Sequence, residues 1–403
     1  MKKAVRFIFL LLALVTCFLD YVIAQSVPPK PAYPFNIKQL HCGHSLTDPL
    51  FNPWPGQYNG LVGSLNSVPA WMSWGLFVGR ATLPGAWIKF HWDTTLAWCG
   101  MDPLVHCYEA NMRPKDDIHL WDLLVITENM EGPLNLNANQ SREHLTYFVN
   151  NSWQYGKGGT GAPTLLWTNW GGLDGSPYFL SGYGVPENPT TYSGWRQLLD
   201  SLELGWQAMQ DYANANRISG CPYVYIIPGN RMMARFYDDI QANLVPGVSS
   251  PSYIFTDGVH LNDYGAYMVC MIHYACIFNA NPVGLSNSLL PSITVPPAFA
   301  TYVQNMVWNV VTNYCRSGLC HLTKIQDDEH SSQKSITIYP NPSSDYILVQ
   351  SIMPISERNP IEIYDVVGKL IRRETSHPVD IRNMPSGMYW LKLGNSVQKF
   401  IKK

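Results

Sequence analysis

Histidine, cysteine and serine residues lie close together in the segment HCGHSLTDPL, at residues 41–50. Side chains of these types bind metal ions or form an activated nucleophile. A zinc site needs three or four ligands around the ion, and His41, Cys42 and His44 are too close along the chain to surround one comfortably. A serine nucleophile instead needs a tight glycine turn and a nearby histidine base. The segment therefore favours a nucleophile at Ser45 over a metal centre.

A second polar segment, TDGVHLNDYG, contains a carboxylate and a histidine three residues apart, Asp257 and His260. We expect a helix to begin just after them, near Asn262 or Asp263. A short loop with this spacing lets the carboxylate hold one imidazole nitrogen while the other faces the Ser45 hydroxyl. The same spacing is also common at a helix N-terminus, where an acid accepts hydrogen bonds from free amides.

Apolar runs of strand length alternate with longer helical patterns between residues 25 and 330. The runs are LLVIT at 123–127, TLLWT at 164–168 and YVYIIP at 223–228. Strands that are apolar throughout and separated by helices predict a parallel sheet covered on both faces. Functional side chains then belong in the loops at the carboxyl ends of the strands.

One helical pattern is especially regular and ends near Asn216. Apolar residues recur there at three- and four-residue spacing, which is the stripe of an amphipathic helix. These residues are Trp195, Leu198, Leu199, Leu202, Trp206, Met209 and Tyr212.

Composition narrows the classes of partner. The chain has 403 residues, of which 46% are hydrophobic and 14% are charged, and its formal net charge is -2. Nucleic acids and anionic membranes bind concentrated basic surfaces, so we expect neither as a partner. The length predicts a large domain with a smaller second one.

The N-terminus has the pattern of a signal peptide over residues 1–24. Lysines and an arginine precede an apolar run from Phe7 to Leu19, and small residues follow at Val22-Ile23-Ala24. The run is shorter than the roughly 20 residues of a membrane-spanning helix, and no other segment is long and apolar enough. The alternatives are a membrane anchor or a lipoprotein signal at Cys17. We expect a mature chain without a transmembrane segment.

The cysteines also suit an exported protein. Eight of the nine lie beyond residue 24, and an even number in an oxidising compartment favours disulfides over metal. Cys315 and Cys320 are close enough to pair locally, whereas the sequence does not determine partners for the others.

The polar stretch at 322–335 predicts a linker, and the short β-rich runs at 336–403 predict a small all-β sandwich. This last segment resembles the C-terminal sorting domain of the Bacteroidetes type IX secretion pathway. The resemblance rests on Tyr339-Pro340-Asn341-Pro342, Ile363-Tyr364-Asp365-Val366-Val367-Gly368-Lys369, Pro385-Ser386-Gly387-Met388-Tyr389 and a basic end. It implies export to the outside or the cell surface, with the type IX machinery as a partner. The alternative is a structural or sugar-binding β-module.

Residues 25–321 resemble the SGNH (GDSL-type) hydrolases. Gly43-His44-Ser45-Leu46 matches the Gly-Asp-Ser-Leu block, with His in place of Asp, and Asp257-Gly258-Val259-His260 matches the Asp-x-x-His block. The resemblance implies a three-layer α/β/α fold with a flavodoxin-like parallel sheet. It also implies a catalytic triad of Ser45, His260 and Asp257, without a metal or cofactor.

The resemblance further implies an oxyanion hole, a set of N–H donors for the transient negative oxygen. Its donors would be the backbone of Ser45, the side chain of Asn129, and the backbone of Gly79, with Gly85 as the alternative. The segment Thr127-Glu128-Asn129-Met130 departs from the family's Gly-x-Asn-Asp block at its first and last positions. Glu128, rather than Asn129, is therefore a second candidate to face the site.

Two tryptophans suggest a substrate class. Trp167 and Trp170 follow a predicted strand, with Asn169 and Asp174 nearby, and flat indole faces suit sugar rings. We therefore expect an O-acylated carbohydrate as the substrate of an exported esterase. The alternatives are a core role for both tryptophans, a lipase or aryl esterase, and a non-catalytic glycan-binding protein whose oxyanion hole has decayed.

Overall fold

The computed structural model divides the chain into two compact units, Met1–His321 and Leu322–Lys403. It describes residues 27–51, 56–73, 75–93, 113–290 and 293–320 of the first unit, and 336–351, 355–357, 360–365, 369–376, 378–393 and 396–403 of the second. The proposed signal peptide and linker, and also Cys99 and Cys107, lie outside the described residues.

A five-stranded parallel sheet forms the centre of the first unit, with the strand order β2-β1-β3-β4-β5. Its strands are β1 (Gln39–Gly43), β2 (Val78–Thr82), β3 (Leu123–Ile126), β4 (Thr164–Trp167) and β5 (Tyr225–Ile227). Almost every strand residue is buried, because helices cover both faces. The three apolar runs therefore form strands of a parallel sheet, as the sequence predicts.

Eight α-helices lie among the described residues of this unit. They are α1 (Gln57–Leu65), α2 (Ala70–Ser73), α3 (Ile88–Asp93), α4 (Ser141–Gly159), α5 (Ser193–Asn216), α6 (Gly229–Gln241), α7 (Asp263–Phe278) and α8 (Pro297–Thr312). A short hairpin of β6 (Ser288–Leu290) and β7 (Ile293–Thr294) precedes α8. The predicted amphipathic stripe lies on α5, which ends at Asn216, and all its residues except the half-buried Tyr212 are buried.

Strand β1 shows how the two helical layers enclose the sheet. Leu40 and Cys42 belong to an apolar core that also includes side chains of α4 and α5. Gln39 points to the other layer and accepts a hydrogen bond of 2.9 Å from the Tyr58 hydroxyl of α1. His41 lies beside His273 of α7, with ring centroids 5.6 Å apart. Alternate side chains of one strand thus face opposite helical layers.

The strand order determines where a site can form. In the sheet, β1 has β2 on one side and β3 on the other. After β1 the chain adds β2 on one side of it, and it then crosses back to add β3 on the other side. The loops that follow β1 and β3 therefore diverge. Such a reversal opens a crevice at the carboxyl ends of the strands.

The second unit is all-β among its described residues, as predicted. Its strands are β8 (Ile336–Tyr339), β9 (Tyr346–Ser351), β10 (Ile361–Tyr364), β11 (Leu370–Glu374), β12 (Val379–Asp380), β13 (Gly387–Leu393) and β14 (Ser396–Lys402). They form antiparallel sheets with the orders β11-β10-β13-β14 and β12-β9-β8, and buried side chains of both sheets share one core.

The predicted local disulfide joins Cys315 to Cys320, with the Cα atoms 4.7 Å apart. Cys42, Cys221, Cys270 and Cys276 are buried and unpaired, so the even cysteine count does not translate into a general disulfide framework among the described residues. Within those residues, no helix has the length and apolar character needed to cross a membrane.

Burial lowers the pKa of four histidines of the first unit. The pKa falls to about 4 for His44 and His91, to about 3 for His273, and well below the ordinary value for His41. These histidines stabilise the fold fully only above the ordinary histidine pKa near 6.5, and that contribution is lost as the pH falls toward the folded values.

We therefore predict that acid destabilises the protein, by about 2 kcal/mol for each of these histidines between pH 7 and pH 5. Glu128 acts in the opposite direction, because burial raises the pKa of its carboxyl to about 7. Urea unfolding at the two pH values measures the net loss. His273→Phe is expected to reduce that loss by about 2 kcal/mol, whereas His119→Gln, at an exposed position, should leave it unchanged. An undiminished loss in His273→Phe would contradict the prediction.

Candidate active site

Ser45, His260 and Asp257 form a continuous hydrogen-bonded chain at the carboxyl end of the sheet. The Ser45 Oγ lies 3.0 Å from His260 Nε2, and His260 Nδ1 lies 2.7 Å from the Asp257 carboxylate. Ser45 follows β1 directly, and the other two residues lie on the loop before α7. The structure thus brings together the three residues that the sequence predicts as nucleophile, base and orienting acid.

Close contacts explain the glycine before the nucleophile. A Cβ atom at Gly43 would lie 2.4 Å from Thr127 Cγ2 and 2.7 Å from Thr47 Oγ1, so a larger residue does not fit. The Gly43 carbonyl faces the buried His91, at 2.8 Å from its Nε2. The turn at residues 43–46, the candidate nucleophile turn, is therefore held by the two threonines on one side and by His91 on the other.

The loop before α7, residues 255–262, is the candidate acid–base loop, and it orients its own histidine. Asp257 Oδ1 accepts hydrogen bonds from the backbone N–H groups of Val259 (3.1 Å) and His260 (2.8 Å), which leaves Oδ2 for the imidazole. Burial alone would raise the pKa of Asp257, but the hydrogen bonds from His260 and Val259 outweigh it and lower the pKa. The helix after this loop begins at Asp263 with Asn262 as its N-cap, as predicted.

This arrangement suits proton transfer from the hydroxyl to the imidazole. An ionised Asp257 favours the tautomer with a proton on Nδ1, which leaves the Nε2 lone pair to accept the Ser45 proton. The side chains of His260 and Asp257 remain 37% and 40% exposed, so a molecule from solution can reach them.

The loop after β4 braces the acid–base loop, a role that the sequence did not indicate. The Trp170 indole N–H donates to the Val259 carbonyl at 2.9 Å, and the Leu173 N–H donates to the Gly258 carbonyl at 2.7 Å. The half-buried Tyr178 ring meets the His260 ring edge-on, with centroids 5.5 Å apart.

The expectation that Trp167 and Trp170 bind sugar is wrong. Trp167 is 1% exposed and packs against the His273 ring, and Trp170 is 0% exposed. Neither indole face is open to a ligand, because both side chains are buried in the core.

The expectation that Gly79 donates to the oxyanion is also wrong. Gly79 pairs with Leu40 near the start of β2, whereas the strand ends level with Gly43 at Thr82. At about 3.3 Å per residue, Gly79 lies about 10 Å before that end. A Cβ at Gly79 would lie 2.3 Å from the Trp121 ring, so close packing explains this glycine.

Gly85, the alternative, lies beyond the end of β2 and contacts the second expected donor. Its carbonyl accepts a 2.9 Å hydrogen bond from the Asn129 side-chain amide. Asn129 is 8% exposed, and its side-chain oxygen accepts from the Glu131 N–H at 3.1 Å. The amide nitrogen carries a second hydrogen, which Asn129 can donate to a ligand.

Glu128 does not face the crevice, contrary to the second assignment. It is 0% exposed, and its Oε1 accepts from the backbone N–H groups of Ile88 (2.9 Å) and Asn129 (2.7 Å). Its carboxylate therefore contacts the protein rather than a substrate, and it does not oppose an oxyanion.

A buried polar contact joins the loops after β1, β3 and β4. His44 Nε2 lies 3.0 Å from the Glu128 carbonyl, and the Asn169 side-chain amide donates to the same carbonyl at 2.6 Å and to Thr127 Oγ1 at 3.0 Å. Burial keeps His44 neutral by lowering its pKa to about 4. Asn169 was expected beside a substrate but is fully buried. Its position just after a strand was the sequence signal for this joining role.

The second unit can be identified by comparison. Residues 337–403 match the family model described as a secretion system C-terminal sorting domain. The C-terminal unit is a secretion sorting domain. It indicates type IX secretion, with export to the cell surface or the medium, and implies contact with the secretion machinery.

No curated protein matches significantly. Among solved structures, a DUF4886 family protein from Bacteroides uniformis is similar, with 11% identity and a TM-score of 0.42 over 68% of this chain and 94% of that one. A likeness this distant carries no conclusion.

The brace from the loop after β4 can be tested with Trp170→Phe. This change removes the donor to Val259, a hydrogen bond worth about 1 kcal/mol, and should slow the reaction of Ser45 with a fluorophosphonate about fivefold. Trp206→Phe is the matched control, because Trp206 is equally buried and its indole nitrogen has no partner. Equal slowing in both variants would show a general loss of stability instead.

Proposed function

We propose that the first unit is a serine esterase of the SGNH (GDSL-type) class, exported by its sorting domain. The observation that carries the proposal is the hydrogen-bonded chain from Ser45 through His260 to Asp257. The strand order, with the nucleophile after β1 and the acid and base before α7, supports the same class.

The proposed reaction proceeds through an acyl-enzyme. Ser45 Oγ attacks the ester carbonyl while its proton moves to His260 Nε2, and Asp257 stabilises the resulting imidazolium. The tetrahedral intermediate collapses as His260 returns the proton to the leaving alcohol. Water then attacks the acyl-serine with His260 as base, which releases the acid and restores Ser45.

The proposed oxyanion hole combines one side chain with backbone groups. The free amide hydrogen of Asn129 and the N–H groups of Ser45 and Gly85 are the donors that we assign. One such donor typically contributes about 10²-fold to 10³-fold to kcat. Because the Glu128 carboxylate is buried away from the crevice, it does not weaken this hole.

An O-acylated carbohydrate is the substrate that we propose. Export brings the enzyme to extracellular polysaccharides, and the triad is open to solvent. Tyr178, beside His260 and half-buried, offers an aromatic side chain for a sugar ring in place of the buried tryptophans.

The triad is tested by labelling and hydrolysis. We expect a fluorophosphonate to label the peptide that contains Ser45, and we expect Ser45→Ala to abolish both labelling and p-nitrophenyl acetate hydrolysis. Asp257→Asn should lower kcat about 10⁴-fold, because the histidine tautomer is lost. Ser181→Ala, at an exposed serine after β4, is the control. A folded wild type that is inert, or a label elsewhere, would contradict the proposal and favour a glycan-binding protein.

The substrate class needs a separate measurement. Acetate release from a panel of acetylated polysaccharides should depend on Ser45 and exceed release from simple aryl acetates. A flat result across the panel, together with normal labelling of Ser45, would retain the esterase and point to an aryl, lipid or sulfate ester instead.

A further inference from the structure

We propose that Glu128 is a positioning residue whose ionised carboxylate holds the oxyanion loop, residues 127–130, against the start of α3. Its protonation then disorganises the donors at Asn129 and Gly85, so that acid switches the site off independently of His260. The catalytic consequence rests on the proposed esterase function, whereas the coupling between carboxylate and loop does not.

The geometry places one carboxyl oxygen between two segments. Glu128 Oε1 accepts the N–H of Asn129 in its own loop and the N–H of Ile88, the first residue of α3. The Asn129 side chain donates to the carbonyl of Gly85, three residues before Ile88. Two of these three hydrogen bonds connect the loop after β3 to the segment after β2, and two of the three end on Glu128.

The surrounding structure makes room for this carboxylate. A Cβ at Gly132 would lie 2.2 Å from Glu128 Cγ, so only glycine permits the side chain to fold inward. The Ser141 hydroxyl of α4 lies beside the same site. The Glu128 side chain is therefore enclosed by Gly132, by the start of α3 and by the start of α4, and it is not exposed to the crevice.

Charge matters because a carboxylate accepts hydrogen bonds about twice as strongly as a neutral group. Burial raises the pKa of Glu128 to about 7, although the hydrogen bonds from the Ile88 and Asn129 N–H groups favour its charge. The bonds that hold the loop are therefore strong above pH 7 and weaken below it.

The neighbouring titratable groups do not change charge in the same range. On β1, burial raises the pKa of the Cys42 thiol well above its ordinary value. In the nucleophile turn, His44 contacts the Glu128 backbone carbonyl and stays neutral, with its pKa lowered to about 4. The other groups that face Glu128, from α3, α4 and the loop after β4, are the Ile88 amide, the Ser141 hydroxyl and the Asn169 amide.

The coupling can be measured without any activity. In the full chain labelled at isoleucine and asparagine, the amide proton shifts of Ile88 and Asn129 should titrate together with a midpoint near pH 7. Glu128→Gln should abolish both titrations, and Glu131→Gln, at the residue just after this loop, should preserve them. Shifts that stay flat between pH 5 and pH 8.5, or that persist in Glu128→Gln, would overturn the proposal.

The catalytic consequence appears in the pH profile. For wild type, kcat/KM should rise with two ionisations on the acid side, whereas Glu128→Gln, which is neutral at every pH, should keep one and should have a reduced kcat even above pH 8. Its amide oxygen can still accept both hydrogen bonds, but a neutral acceptor holds the two N–H donors less strongly than a carboxylate does. Glu128→Ala should lower kcat about 10²-fold with little change in KM, because the oxyanion donors lose their support.

The outcomes separate the two proposals. Two ionisations in Glu128→Gln, or wild-type kcat in a folded Glu128→Ala, would overturn the role of Glu128 while leaving the esterase intact. Linked amide titrations in a protein whose Ser45 does not react with a fluorophosphonate would support the coupling and overturn the esterase.

Discussion

The hydrogen bond between Ser45 and His260 is the contact on which the candidate active site depends, and it joins residues 215 positions apart. The turn after β1 and the loop before α7 must meet within about 0.5 Å of a productive geometry for proton transfer. Neither segment can achieve this alone. The strand order places the end of β1 at the reversal in the sheet. The packing of α7 against the sheet places His260, on the loop just before this helix, next to Ser45.

Hydrogen bonds to backbone carbonyls supply much of the remaining precision. The Gly43 carbonyl contacts His91. The Glu128 carbonyl contacts His44 and Asn169. The carbonyls of Gly258 and Val259 accept hydrogen bonds from the loop after β4. Each contact joins segments that are distant in sequence. Buried polar side chains are costly unless they are hydrogen-bonded, so their concentration at one edge of the sheet indicates a site that is kept rigid at the expense of stability.

The sequence predicted the parts of the site that depend on local spacing. Asp257 and His260 lie on one short loop, and Ser45 follows a glycine turn, so local spacing was sufficient for each segment, whereas their pairing was implied by the resemblance to the SGNH hydrolases. The oxyanion assignment failed at Gly79 because strand register decides which residue reaches the edge. Trp167 and Trp170 were misassigned because burial is a tertiary property, and nothing in the local sequence shows whether an indole faces a core or a crevice. Glu128 was ambiguous for the same reason, since side-chain direction depends on neighbours such as Gly132.

The exposure of the triad has a consequence for its electrostatics. Water screens the Asp257–His260 pair, whose side chains are 40% and 37% exposed, so the pair is weaker than in a closed site. In the proposed esterase, a bound molecule that excludes this water would strengthen catalysis, because every charge interaction in the crevice would then operate at a lower dielectric. A large substrate that covers His260 would complete the proposed site in a way that a small ester would not. This requirement is our reason to propose a polymeric glycan rather than a simple aryl ester as the substrate of the exported protein.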